Sequence, residues 1–233
     1  MNNKEILRVK NLGVSFNNEQ ILKNINFKID EKEVLVILGP NGAGKSTLLR
    51  AILDLIKHTG KVTWNTKNIS YLPPQEFFAR KNLPPLKVKE FFKIKNVSKK
   101  EILNILNSVK LEKTILNKQF TELSTGQFQR MVIAWSLVDK PKVLIFDEPT
   151  SGIDIGGEET IYTLLHKFWE KLGLTIILVT HDLNIVWEHS SKVLCLNKKT
   201  LCLGKAQEVL TIENLKKLYG TGIKFYKHNH GDN

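Results

Sequence analysis

Five consecutive aliphatic residues, Val34 to Leu38, run directly into Gly39-Pro40-Asn41-Gly42-Ala43-Gly44-Lys45-Ser46-Thr47. A strand that is apolar at every position must be covered on both faces, as a central strand of a parallel sheet is. Beyond the loop, Leu48, Leu49, Ile52, Leu53 and Ile56 recur at helical spacing and predict an amphipathic helix over 45–57. Strand, glycine-rich turn and helix in that order make a phosphate cradle. Glycines let successive backbone N–H groups turn inward, and the helix N-terminus adds partial positive charge. Lys45 can reach the β- and γ-phosphates, and the Ser46 hydroxyl can ligate Mg2+. The dinucleotide spacing G-x-G-x-x-G is not met, because Thr47 stands where its last glycine would be. The expected ligand is a nucleoside triphosphate with magnesium.

The rest of the chain predicts an α/β fold. Short β-branched runs at 6–10, 13–16 and 25–29 precede the 34–39 strand and suggest an antiparallel N-terminal part. From about Pro73 to Lys140 the pattern turns helical, with Ser98 and Glu101 spaced as a capping box and a further helix from near Ser124 to Asp139. Alternation then resumes: strand 143–146, helix 155–172, strand 175–180, short helix 182–189 and a hairpin over 193–203. Together these predict a P-loop ATPase core with a mostly parallel sheet and an inserted helical subdomain. The expected division is 1–74 and 141–220 as nucleotide-binding core, 75–140 as helical subdomain and 221–233 as a flexible tail.

Composition excludes more than it selects. With 233 residues the chain suits one domain carrying a subdomain. No apolar stretch approaches the roughly 20 residues of a membrane helix, and no secretory signal is visible, so a cytoplasmic setting is expected. The net charge of +12 comes from 31 lysines against 4 arginines, spread without a basic run, which reads as a solvated surface rather than a nucleic-acid footprint. Cys195 and Cys202 are too few for a disulfide framework and read as small buried residues, although they could face each other across the hairpin.

A second chemical element is Val143-Leu144-Ile145-Phe146-Asp147-Glu148-Pro149. The carboxyl ends of parallel strands form the ligand crevice, so Asp147 can approach a metal on the phosphates. Glu148, one residue on, is placed to orient or deprotonate a water attacking the γ-phosphate.

With Leu123-Ser124-Thr125-Gly126-Gln127 between these elements, the chain resembles the ATP-binding subunit of ABC transporters, from Leu7 to Tyr219. The resemblance makes Ser124, Thr125, Gly126 and Gln127 the signature sequence, Gln75 the Q-loop glutamine, Ser151 to Asp154 the D-loop, His181 the switch histidine and Phe16 the aromatic that stacks on adenine. It implies that the signature serves the nucleotide of a second copy, so that two chains sandwich two ATP molecules head to tail. It also implies that Gln75 senses the magnesium and the attacking water, with Ser46 and Asp147 as further Mg2+ ligands. Two positions depart from the family pattern. Thr125 replaces a usual glycine, where a positive φ would be costly for a β-branched residue, and Phe16 replaces the commoner tyrosine.

Ser70 to Gln75, Leu83 to Val88, Val193 to Asn197 and the 210–220 segment resemble the zinc and manganese importer branch. That likeness implies an integral membrane permease as partner, fed by an extracytoplasmic metal-binding protein, with this chain on the cytoplasmic face of the membrane. Another ABC cargo, or an ABC-type ATPase acting on nucleic acid or ribosomes, is the alternative; the latter usually has two cassettes or a long coiled-coil insertion, and neither is in this sequence. A nucleotide-binding module without turnover is the third reading, opposed by Glu148 and His181. His228, His230 and Asp232 have metal-ligating chemistry but lie in the terminal tail.

Overall fold

A computed structural model describes residues 4–74, 85–149 and 155–220. Two sheets carry the fold. The first is antiparallel, in the order β2-β1-β4, from β1 (Glu5–Phe16), β2 (Glu19–Asp30) and β4 (Thr59–Trp64). The second has six strands in the order β5-β6-β7-β3-β8-β9, built from β3 (Val34–Leu38), β5 (Ile69–Leu72), β6 (Val143–Asp147), β7 (Thr175–Val179), β8 (Lys192–Asn197) and β9 (Lys199–Gly204). All its neighbours run parallel except the terminal hairpin β8-β9.

Helix α1 (Lys45–Ile52) follows β3 directly. Between β5 and β6 the chain leaves the sheet for α2 (Val88–Lys93), α3 (Lys99–Ser108), two short 3-10 turns and α4 (Thr125–Leu137). Then come α5 (Ile155–Leu172), α6 (Leu183–His189), α7 (Ala206–Val209) and α8 (Ile212–Tyr219). The α/β class expected from the sequence holds, with its antiparallel N-terminal part and helical insertion.

The central strands read as uninterrupted apolar runs because their two faces enter two cores. Val34, Val36 and Leu38 join Leu144, Phe146, Ile176 and Leu178 on the side covered by α4 and α5. Leu35 and Ile37 join Ile145, Ile177 and Val179 on the side covered by α1 and the antiparallel sheet.

Several boundaries differ from expectation. The runs at 6–10 and 13–16 form one strand, because Asn11 takes a left-handed φ of 49° and the ladder shifts register there. The 45–57 helix stops at Ile52, where Asp54 turns left-handed at φ 58°. The Ser98–Glu101 capping box forms, with Ser98 Oγ accepting from the Glu101 N–H at 3.2 Å. Thr125 does not adopt a positive φ: it is the first helical residue of α4, after the N-cap Ser124, so the strain expected there is absent. Cys195 and Cys202 are both buried, and as direct partners in the β8-β9 ladder they are joined in a disulfide rather than standing as separate thiols.

Candidate functional site

The site is built where β3, β6 and β7 end together. Ile37 pairs with Val179, and Val179 also pairs with Asp147, so the three strands finish in register. The phosphate loop leaves β3 packed against its surroundings. A Cβ added at Gly39 would stand 2.2 Å from the Leu196 carbonyl oxygen, and one at Gly44, which sits at φ 93°, would stand 2.7 Å from Leu22 Cδ2. Glycine at both positions lets backbone pass where a side chain cannot.

Lys45 opens α1 and is buried, with Nζ donating to the carbonyls of Gly39 at 2.9 Å and Pro40 at 3.1 Å. The same ammonium lies 3.5 Å from Glu148 Oε1. Glu148 itself adopts a left-handed φ of 51°, and its N–H donates to the Val179 carbonyl at 3.1 Å. That backbone turn aims two successive carboxylates differently, one into the protein and one to the mouth.

Asp147 is the inward one, 1% exposed. Among the described residues neither carboxylate oxygen meets a hydrogen-bond donor in bonding geometry. Burial raises its pKa above the ordinary value, and the adjacent Glu148 adds to that; the Ser46 hydroxyl, Lys45 and Arg50 pull the other way. A buried carboxylate beside a hydroxyl offers the oxygen ligands that a hard divalent cation takes. Ser46 and Asp147 therefore fit Mg2+.

His181 is exposed just beyond β7. The buried Thr180 anchors that turn: its hydroxyl lies 3.0 Å from the Tyr162 hydroxyl and accepts from the Asp182 N–H at 3.1 Å. Phe16 ends β1 with 48% of its surface exposed, an open aromatic face on the hairpin whose second strand supplies Leu22 to Gly44.

The candidate signature begins a helix on the opposite face of the sheet from α1. Ser124 caps α4, which packs against β5 and α3, whereas Lys45 opens α1, which packs against β1, β2 and β6. Ser124 Oγ accepts from the Gln127 N–H, and Gln127 Oε1 accepts from the Ser124 N–H, each at 3.1 Å. The Ser124 hydroxyl proton and the first N–H groups of α4, at Thr125 and Gly126, remain available to an anion. Gln75, Ser151 and Asp154 lie outside the described residues, as do His228 and His230.

Sequence reasoning missed three residues around Asp147 and His181. The Tyr71 hydroxyl is buried near Asp147, and burial together with that negative charge pushes its pKa up to about 12. Arg50 on α1 interacts with the same pair, and Tyr162 reaches Thr180 from α5. The only cue in the chain is a polar residue at the end of an apolar run, as at Thr180. Among the described residues no group of three or more metal-ligating side chains occurs, and no helix is long and apolar enough to cross a membrane.

Comparison with known proteins gives consistent matches. A family model described as ABC transporter matches residues 22–151. The zinc import ATP-binding protein ZnuC of Buchnera aphidicola subsp. Schizaphis graminum is 37% identical, with 97% of each chain covered. That of Wigglesworthia glossinidia brevipalpis is also 37% identical, over 97% of this chain and 100% of the relative. Among solved structures, cbiO1 from Clostridium perfringens, part of the ABC transporter complex cbiONQ, superposes with a TM-score of 0.78 at 29% identity, over 92% of this chain and 94% of its own.

Proposed function

The chain belongs to the ABC transporter family, and from that membership we propose that it is the subunit that binds and hydrolyses ATP to drive uptake of a divalent metal ion, zinc first, through a membrane permease. The observation that carries the ATPase part is the convergence of Lys45, Asp147 and Glu148 on the phosphate loop, with Glu148 held 3.5 Å from the Lys45 ammonium. The zinc assignment rests on full-length relatives named as zinc import ATP-binding proteins.

The chemistry follows from these groups. Residues 39–47 wrap the triphosphate with backbone N–H groups, and Lys45 exchanges its carbonyl partners for the β- and γ-phosphates. Ser46 and Asp147, with Gln75, hold Mg2+, which supplies positive charge to the phosphate oxygens. Glu148 orients the attacking water and takes its proton. His181, held at the mouth by the Thr180 turn, hydrogen-bonds the γ-phosphate, and Phe16 stacks on the adenine.

Each site is completed by a second copy, head to tail. Ser124, Thr125 and Gly126 at the start of α4 meet the γ-phosphate bound by the other chain, with Asp154 as the D-loop residue of each copy. Ser124 needs no rearrangement for this, since its capping bond uses oxygen as acceptor and leaves its proton to donate. Residues 75–140 act as the helical subdomain that transmits nucleotide state to the permease at the cytoplasmic face of the membrane, with a metal-binding protein delivering cargo outside.

The test is affinity purification of the tagged chain from membranes of cells starved of zinc, with manganese starvation in parallel. Co-purification of a polytopic metal permease and ATP hydrolysis by the recovered complex are expected. Recovery of an amino-acid or lipid permease would overturn the cargo, and an inactive complex would overturn the ATPase role.

A further inference from the structure

The hairpin next to the phosphate loop contains a cysteine pair that the ATPase chemistry does not use. Cys195 on β8 and Cys202 on β9 are direct ladder partners, with Cα atoms 4.9 Å apart and sulfurs joined. Cys195 is also the parallel partner of Leu38, the residue immediately before Gly39. One residue further, past a register shift in the hairpin, the Leu196 carbonyl is the atom that leaves no space for a Cβ at Gly39. At the hairpin turn the Lys198 N–H donates to the Ala43 carbonyl at 3.0 Å, and the Lys198 carbonyl accepts from the Lys23 N–H at 2.8 Å. The backbone of the phosphate loop thus rests on β8 and on the hairpin turn, and the bond between Cys195 and Cys202 adds a covalent tie to the β8-β9 ladder.

We propose that Cys195 and Cys202 form a thiol–disulfide exchange site through which a small disulfide of the glutathione class sets the nucleotide affinity of the loop. In a reducing compartment, a disulfide that exists is typically a sensing one. Cys202, 9% exposed on the edge strand β9, is the first to react; Cys195, 1% exposed, is the resolving thiol. The Cys202 thiolate attacks one sulfur of the small disulfide and releases one small thiol as a mixed disulfide forms. The Cys195 thiolate then attacks the Cys202 sulfur and releases the second. Two protein thiols are oxidised by two electrons, one small disulfide is reduced to two thiols, and protons balance. Local opening of the β9 edge admits the reagent.

The bonded hairpin holds Leu196 and Lys198 against the loop, and the reduced hairpin holds them less firmly. ATP affinity is therefore higher in the bonded state, by about threefold or more for coupling through directly packed backbone. This proposal rests on reading residues 39–47 as the ATP loop. The experiment measures ATP affinity of the full chain by calorimetry after equilibration with oxidised glutathione or with dithiothreitol, with acid quenching, unfolding and thiol alkylation of a parallel sample before mass spectrometry. Two blocked cysteines and tighter ATP binding are expected after oxidised glutathione, and two alkylated cysteines with weaker binding after dithiothreitol. Cys202→Ala, with a melting temperature close to that of the reduced parent, is expected to bind ATP equally in both conditions. Two alkylated cysteines after oxidised glutathione, or equal affinities in the two states of the parent chain, would overturn the proposal alone. No ATP binding in either state would overturn the nucleotide reading as well.

Discussion

Asp147→Asn separates stability from nucleotide binding. The carboxylate is buried, and burial outweighs the Ser46 hydroxyl, Lys45 and Arg50 in raising its pKa, so its charged form opposes folding when no cation is present. Asparagine has nearly the same shape and no charge, though its amide protons also lack fixed partners. With Ser46, Lys45 and Arg50 offsetting part of the burial cost, a net relief of about 1 kcal/mol for removing the buried charge should raise the melting temperature of the nucleotide-free variant about 2–4 °C above the parent. The sign with pH follows from the raised pKa. The neutral carboxyl is tolerated, so the parent's penalty is full above the raised pKa and fades as pH falls through it. The gap between variant and parent should therefore narrow on acidification. With magnesium and ATP at about 100 times the dissociation constant, the parent gains about 2.7 kcal/mol, or about 5–11 °C, and the variant gains little. Scanning calorimetry across pH, with and without Mg-ATP, reads all three. A nucleotide-free variant that melts lower, or a gap that widens at acid pH, would refute the argument that Asp147 carries a net burial penalty that a cation relieves.

Glu148→Gln should still bind ATP but lose hydrolysis by at least about 10²-fold and accumulate as a dimer with ATP, measured by phosphate release and light scattering. Ser124→Ala removes the N-cap of α4, lowering stability by about 1 kcal/mol and abolishing turnover. Mixed with Lys45→Ala, it should recover hydrolysis, because a head-to-tail pair then contains one complete site; no recovery in a demonstrated heterodimer would rule out the shared site. Phe16→Ala should weaken ATP binding by about tenfold, from the loss of about 1–3 kcal/mol of stacking, without altering the melting temperature, since the ring is half exposed.

The sequence carried the elements whose signal is local. A fully apolar strand, a glycine loop and a capping serine each declare themselves within a few residues, and the 155–172 helix was legible to its ends. Strand β4 was not, because Thr59–Trp64 is only partly buried at the rim of the antiparallel sheet and shows no clean alternation. The continuity of β1 was hidden by the shift at Asn11, which moves the alternation out of step. At the site, residues tied to the loop or to the end of an apolar strand could be named. Tyr71, Arg50 and Tyr162 could not, since what matters about them is proximity across strands and helices distant in the chain. The strain expected at Thr125 was absent because the helix begins one residue earlier than a left-handed turn there would require.

The strand order has a dimensional consequence. β7 lies between β3, which launches the phosphate loop, and β6, which delivers Asp147 and leads into Glu148. With strands about 4.8 Å apart, the interposed strand acts as a gauge block, setting the launching point of the loop about 10 Å from the strand that brings the acids. Across that width the long Lys45 side chain reaches Glu148, its ammonium 3.5 Å from Oε1. Because the spacing is fixed by the backbone ladder and not by side-chain rotamers, substitutions in this span should alter its chemistry while leaving its breadth untouched.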